Sequence, residues 1–141
     1  NKYFNKSYDE NGYESSRGNI DMKFLNLLIG KTSKMIYPRS DDKNDYYVLL
    51  NEIDKKIMPN DLLRTLTEFT AEKIKEFYLF CNKPDEVIFH GGGTKNNFLM
   101  STINNKINVD VKTTDGEIPS QYAEAAAFAY LAFLKKGKLF N

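Results

Sequence analysis

The sequence predicts an α/β fold, and three observations carry that prediction. Apolar residues recur at helical spacing over about residues 61–81, where Leu63, Leu66, Thr70, Ile74, Phe77 and Cys81 share one face. A short apolar run, Val87-Ile88-Phe89, ends in Gly91-Gly92-Gly93, and a helical pattern begins directly behind the glycines. Ile107, Val109 and Val111 then alternate with Asn108, Asp110 and Lys112, which is the period-two pattern of a half-buried strand. Helix, strand, glycine turn, helix, strand and helix in that order describe an α/β unit. Strands at 86–89 and 107–113, joined through a helix, predict a right-handed parallel βαβ crossover.

Taken in order, residues 1–19 are polar and carry turn signals at Asp9-Glu10-Asn11-Gly12 and Arg17-Gly18, which predict loops or one or two short strands. Residues 20–30 predict a helix with Ile20, Phe24, Leu27 and Leu28 on one face and Gly30 as its stop. Residues 38–46 read as a polar loop, and 47–54 fit either a strand or a short helix. Asn60 is the expected N-cap of the helix at 61–81, which Leu62, Phe69 and Phe80 would help to bury. Lys83-Pro84-Asp85 ends that helix. A helix from about 95 to 105 carries Phe98, Leu99 and Ile103. The last helix, about 119–136, combines Ala125, Ala126, Ala127 and Ala129, which permit close packing, with the bulk of Phe128, Leu131 and Leu134.

Length and composition bound the function. The 141 residues fit one compact domain, and an apolar fraction of 41% suffices for a core. A net charge of +1, from 20 basic and 19 acidic residues, gives no pull toward nucleic acid or an anionic membrane. No apolar run approaches the length of a membrane span, and no signal-peptide pattern is present. Cys81 is the sole cysteine, so an internal disulfide is impossible. It is expected to be a small buried residue at a helix end, and a reducing, cytoplasmic setting fits. No Cys/His cluster has structural-metal spacing, and the Asp/Asn-rich stretch at 41–45 lacks the spacing of a calcium loop. No metal site is therefore expected in the chain itself.

The chemistry concentrates at the glycines. Three consecutive glycines add no packing and cost conformational entropy on folding. They fit a sharp turn, or a backbone that a ligand must approach closely. A helix N-terminus behind them would aim free N–H groups and partial positive charge at a phosphate or nucleotide. The triplet is neither of the two commonest nucleotide fingerprints, GxGxxG or GxxxxGK[ST], so a structural turn stays open as an alternative. Ligands of open α/β sheets sit at the carboxyl ends of the strands, here Gly91, Gly92, Gly93 and Thr113-Thr114-Asp115. Asp115 could serve a ligand or cap the turn. His90, the single histidine, has no nucleophile at a suggestive spacing and is not assigned a catalytic role. Glu124 could favour the dipole of the last helix. Its alanine neighbours leave it either at the mouth of a cleft or badly paired.

These residues also resemble a known family. Asp85 through Asn96 followed by Phe98-Leu99-Met100, then Val111-Lys112-Thr113-Thr114-Asp115, then Glu124-Ala125-Ala126-Ala127-Phe128-Ala129-Tyr130-Leu131-Ala132, resemble the C-terminal part of anhydro-N-acetylmuramic acid kinases. Tyr8-Asp9-Glu10-Asn11-Gly12 with Gly18, Pro38-Arg39-Ser40, and Asp61-Leu62-Leu63-Arg64-Thr65-Leu66-Thr67 fall in the same order upstream. The resemblance implies a two-domain actin/hexokinase-like (ribonuclease H-like) ATPase fold, with residues 1–141 forming a single, second-domain portion. It implies an enzyme that hydrolyses and phosphorylates 1,6-anhydro-N-acetylmuramic acid in cell-wall sugar recycling, with ATP and Mg²⁺. It places Gly91, Gly92 and Gly93 by the adenosine end of the nucleotide, with Asn96 fixing the turn, and Glu124 and Ser40 by the sugar. The implied partners are the anhydrosugar, ATP, an N-terminal domain and a second copy in a homodimer.

The chain departs from the family pattern in definite places. The phosphate loop, the Gly-Pro-Gly-Asn segment and the aspartate that activates water are not in these residues, so no catalytic residue is expected in this portion. Asp41-Asp42-Lys43-Asn44 follows Ser40 where the family favours Thr-Gly-Arg-Glu, and Gln121 stands in a typically acidic position. The chain opens on Asn1, so it is expected to be a processed or partial sequence. The alternative expectation is a non-catalytic remnant that serves as a nucleotide-binding or dimerisation module.

Overall fold

A computed structural model describes residues 7–33, 37, 46–54 and 56–134. In chain order the elements are α1 (Tyr13–Ser16), α2 (Met22–Thr32), α3 (Pro59–Phe80), β1 (Val87–Phe89), α4 (Asn97–Ile107), β2 (Val111–Thr113) and α5 (Ser120–Leu134). Turns of 3-10 helix lie at Glu10–Gly12, Val48–Glu52, Gly92–Lys95 and Thr114–Gly116. The expected α/β arrangement is present. β1 and β2 pair in parallel, with Val87 opposite Val111, Ile88 opposite Lys112 and Phe89 opposite Thr113, and α4 forms the crossover. Lys112 Nζ also bonds Glu86 across the pair.

The long helix α3 is the common spine of two apolar clusters. On one side Phe24, Leu25 and Leu28 of α2 meet Leu49, Leu62 and Phe69. On the other, Ala71 meets Ile103 and Ile107 of α4, with Val87 and Val111 of the sheet packed around them. Leu28 and Ile103 are each 1% exposed, and burial of such a side chain contributes about 1.5–3 kcal/mol. Thr65, also within α3, is fully buried with its hydroxyl satisfied. It donates to the Asp61 carbonyl at 2.7 Å and accepts from the Asp21 N–H at 2.9 Å.

Several elements differ from expectation, each for a local reason. The segment near Gly12 is helical, not extended. The Asp9 carboxylate accepts the N–H groups of Glu14 (2.8 Å) and Ser15 (3.0 Å), which satisfies the first turn of α1. α2 runs through Gly30 to Thr32, started by Asp21, whose side chain accepts from the Phe24 N–H at 2.9 Å. The ambiguous 47–54 stretch holds a 3-10 turn. Met58, not Asn60, is the N-cap of α3, because Pro59 occupies the first turn with its φ already helical. Asn60 instead donates its amide to the Glu14 carbonyl at 2.9 Å.

The strand expected at 107–113 is shorter than its alternation suggests. Ile107 ends α4, Asn108 turns the chain at φ 50°, and pairing begins only at Val111. Ile107 and Val109 are apolar because both pack on the α3–α4 core. Cys81 is exposed, not buried. It borders a cavity of about 870 Å³ between the second half of α3 and β1, lined also by Phe69, Ile74, Phe77, Val87 and Phe89. Phe128, Leu131 and Leu134 of α5, expected to pack, are 65%, 56% and 53% exposed. Among the described residues nothing covers them. No helix among the described residues is long and apolar enough to cross a membrane.

Candidate functional site

The parallel register puts the two loops after the strands on one edge of the sheet. Phe89 is opposite Thr113, so the Gly92–Lys95 turn and the Thr114–Gly116 turn leave side by side. α5 packs against both turns. The three segments expected to form the site after residue 85 therefore meet in one place.

Gly91 has φ 96° and ψ 175°, a conformation that a side chain disfavours. The Gly91 carbonyl accepts from the Thr94 N–H (3.2 Å) and the Thr94 hydroxyl (2.8 Å), closing the turn. Gly92 needs no unusual φ. Yet a β-carbon placed at Gly91 or Gly92 would meet no atom of the described residues within 4 Å, so among these residues the loop fronts open space. Conformation explains Gly91; room in front of the backbone is what Gly92 adds.

Asn96 ties this loop to α4. Its N–H donates to the Gly93 carbonyl at 3.0 Å, and its Oδ1 accepts from the Leu99 N–H at 2.9 Å as the helix N-cap. The positive end of the α4 dipole thus sits directly behind the glycines. On the neighbouring turn the Thr114 hydroxyl oxygen is shielded from solvent and has no hydrogen-bond partner among the described residues. Buried polar atoms are normally satisfied, so an orphan at the carboxyl edge of a sheet fits a polar ligand group.

The sugar-side residues stand differently. Glu124 is exposed on α5, the helix that packs against both turns. Ser40 and the loop at 38–45 lie outside the described residues, as does the Asp115 side chain. His90 is exposed. Among the described residues no group of three or more His, Cys, Asp or Glu is placed to hold a metal ion.

Behind the site, charge locks α4 to α3. Lys106 Nζ lies 2.5 Å from Glu68 and 2.6 Å from Glu72, and Arg64 reaches Glu68 at 3.7 Å. Burial alone would lower the Lys106 pKa, but hydrogen bonds and charge from Glu68 and Glu72 outweigh it and raise the value. The Arg64 guanidinium also stacks over the Phe98 ring, 4.6 Å from its centroid.

Sequence reasoning missed the roles of Asp9 and Gly12, which it took only as turn residues and as part of a family pattern. Gly12 lies directly against Asn96, and a glycine with a nearby aspartate was the available signal. It also missed the Thr114 hydroxyl, which sequence offers no means of recognising as unpartnered.

Comparison with known proteins bears on the same residues. The profile of a family described as anhydro-N-acetylmuramic acid kinase matches residues 1–139. A curated relative of that name from Francisella tularensis subsp. novicida (strain U112) is 36% identical, over 98% of this chain and 39% of its own length. Kinases of the same name from Zymomonas mobilis subsp. mobilis and Methylorubrum populi are 29% and 32% identical, over 89% and 90% of the chain and 34% of their own lengths in each case. The chain therefore spans between a third and two-fifths of the length of these relatives. With its glycine loop, its paired strands and a profile match over almost every residue, the chain belongs to the anhydro-N-acetylmuramic acid kinase family.

Proposed function

We propose that residues 1–141 are the C-terminal, second-domain portion of a cytoplasmic kinase with the two-domain actin/hexokinase-like fold. The whole protein would hydrolyse and phosphorylate 1,6-anhydro-N-acetylmuramic acid in cell-wall sugar recycling, as a homodimer. The observation that carries this reading is the glycine loop. It is open in front, backed by a helix N-terminus and set at the carboxyl edge of parallel strands, in a chain of this family.

In this reading the backbone at Gly91, Gly92 and Gly93 meets the adenosine end of ATP, and Asn96 keeps the loop in shape. The Thr114 hydroxyl gives its unused hydrogen-bonding capacity to the ligand. Glu124 and Ser40 contact the sugar. ATP supplies the phosphoryl group, and Mg²⁺, a hard cation suited to phosphate oxygens and water, arrives with it. Phosphoryl transfer is promoted mainly by positioning and electrostatics. This chain would bind and orient, while the phosphate loop and the water-activating aspartate belong to the N-terminal domain.

The test compares the chain with the kinase-length polypeptide. Positioning and base catalysis together supply several orders of magnitude in rate. Chain 1–141 alone should give no detectable phosphorylation of the anhydrosugar, and the kinase-length polypeptide should turn it over. Glu124-dependent turnover by the chain alone would overturn this division of labour. An inactive kinase-length polypeptide would favour a non-catalytic binding or dimerisation module.

A further inference from the structure

We infer that the turn at residues 9–12 is a positioning element for the glycine loop, and that it acts through Asn96. The inference rests on the nucleotide reading above. Gly12 is buried at φ 74°, and a β-carbon placed there would fall 2.3 Å from Asn96 Oδ1 and 2.5 Å from Phe98 Cβ. That same Oδ1 caps α4, and the Asn96 N–H holds the Gly93 carbonyl. A displacement at Gly12 therefore passes through one residue to the loop, from a point 84 positions earlier in the chain.

Gly12 is itself held from behind. Its N–H donates to the Asp9 carbonyl at 3.2 Å, and its carbonyl accepts the Ser15 hydroxyl at 3.0 Å. The Asp9 carboxylate accepts two further N–H groups, from Glu14 and Ser15. Ser15 is 1% exposed and Gly12 is buried, while Asp9 is half-buried at the edge of this hub. The Asn11 Oδ1 accepts from the Asn97 amide at 3.4 Å, a second link to the start of α4.

The far end of the segment is anchored to α3, away from the loop. A β-carbon at Gly18 would fall 2.1 Å from the Asn60 carbonyl oxygen, and the Asn19 N–H donates to Asp61 Oδ1 at 2.7 Å. Residues 9–19 thus bridge the first turn of α3 and the first turn of α4. Gly12 and Gly18 each leave no room for a β-carbon, Gly12 having a positive φ besides, but of the two only Gly12 touches the residue that shapes the loop. That difference separates positioning from general stability.

The experiment uses the kinase-length protein, with ADP titrated calorimetrically and the KM for the anhydrosugar measured alongside. Gly12→Ala and Gly18→Ala should both lower the melting temperature. Below that temperature, Gly12→Ala should weaken ADP by about ten-fold with the sugar KM within two-fold of wild type. Gly18→Ala should leave ADP affinity within two-fold. Equal ADP losses in the two variants, or none in Gly12→Ala, overturn the inference. Should Gly12→Ala fail to fold, Asp9→Ala loosens the same turn without adding bulk. It should weaken ADP at least three-fold at an unchanged sugar KM, and unchanged ADP affinity overturns the inference. Gly92→Val separates the two readings. Wild type that binds ADP, loses it on Gly92→Val and keeps it on Gly12→Ala refutes positioning alone, whereas wild type that binds no ADP refutes the nucleotide reading and positioning with it.

Discussion

The two helices that follow the strands differ in how they are held. α4 leaves β1 through a glycine turn, is capped by Asn96, and buries Thr102, Ile103 and Ile107 against α3. α5 leaves β2 through the Thr114–Gly116 turn and exposes Phe128, Tyr130, Leu131, Phe133 and Leu134 by between 53% and 76%. A helix apolar on all sides belongs inside a protein. Among the described residues α4 buries its apolar face against α3, whereas α5 leaves apolar side chains exposed. The glycine loop is built on the better-held helix, and Glu124 on the other.

The largest expected effect tests that contrast directly. Ile103→Ala should destabilise the chain by about 2–5 kcal/mol in chemical denaturation, because it opens a cavity at the α3–α4 contact. Leu131→Ala should change stability by no more than about 0.5 kcal/mol, as for an exposed position. Measuring both at two protein concentrations sharpens the comparison. A Leu131→Ala loss that appears only at the higher concentration means α5 is covered by a second copy. An Ile103→Ala loss no larger than that of Leu131→Ala would end the distinction between the helices.

The next effect concerns the charge lock under α4. Lys106→Met removes the ammonium between Glu68 and Glu72 and leaves two carboxylates one helical turn apart. The expected cost at neutral pH is about 1–3 kcal/mol. Its pH dependence has a definite sign. The folded pKa of Lys106 is raised, so its contribution is complete below the unfolded lysine value of about 10.4 and is lost as pH rises through the folded value. Wild type should therefore lose stability faster than Lys106→Met above about pH 10. Lys112, raised by its hydrogen bond to Glu86, is common to both proteins and cancels in the difference. Parallel pH curves would show that Lys106 contributes no net stability.

What the sequence revealed divides along similar lines. The βαβ order, the parallel pairing and the glycine loop were legible because each rests on neighbours in the chain. Asn96 as the residue fixing the turn came from the family resemblance, and its cap is a local bond to Leu99 three residues away. The errors arose where distant contacts decide. Asn60 is a good N-cap in isolation, but Pro59 starts the helix and Glu14, 46 residues away, takes the Asn60 amide. The alternation across 107–111 is real, yet Asn108 in the left-handed region divides it between a helix end and a strand. Phe77 and Cys81 do follow the helical period, but their end of the face opens on the cavity beside β1. Asp9 and Gly12 mark a turn locally, but nothing near them in the sequence names Asn96, 84 positions later, as the neighbour of Gly12.

The smallest effect bears on the less well-held helix. Glu124→Gln in the kinase-length protein should lower turnover of the anhydrosugar by about ten-fold, equivalent to about 1.4 kcal/mol, with ATP affinity nearly unchanged. Glu124 lies early in α5, the helix that packs against the glycine turn and the Thr114–Gly116 turn. A charge-assisted hydrogen bond to a sugar hydroxyl contributes about 1.5–3 kcal/mol. Gln keeps the shape and removes the charge. Because Glu124 is exposed, the substitution should change folding stability by no more than about 0.5 kcal/mol. Kinetics and melting therefore separate the two roles of this residue. A loss of turnover at an unchanged melting temperature assigns Glu124 to the sugar. Normal turnover with a lower melting temperature makes it a carboxylate that serves only the positive end of the α5 dipole.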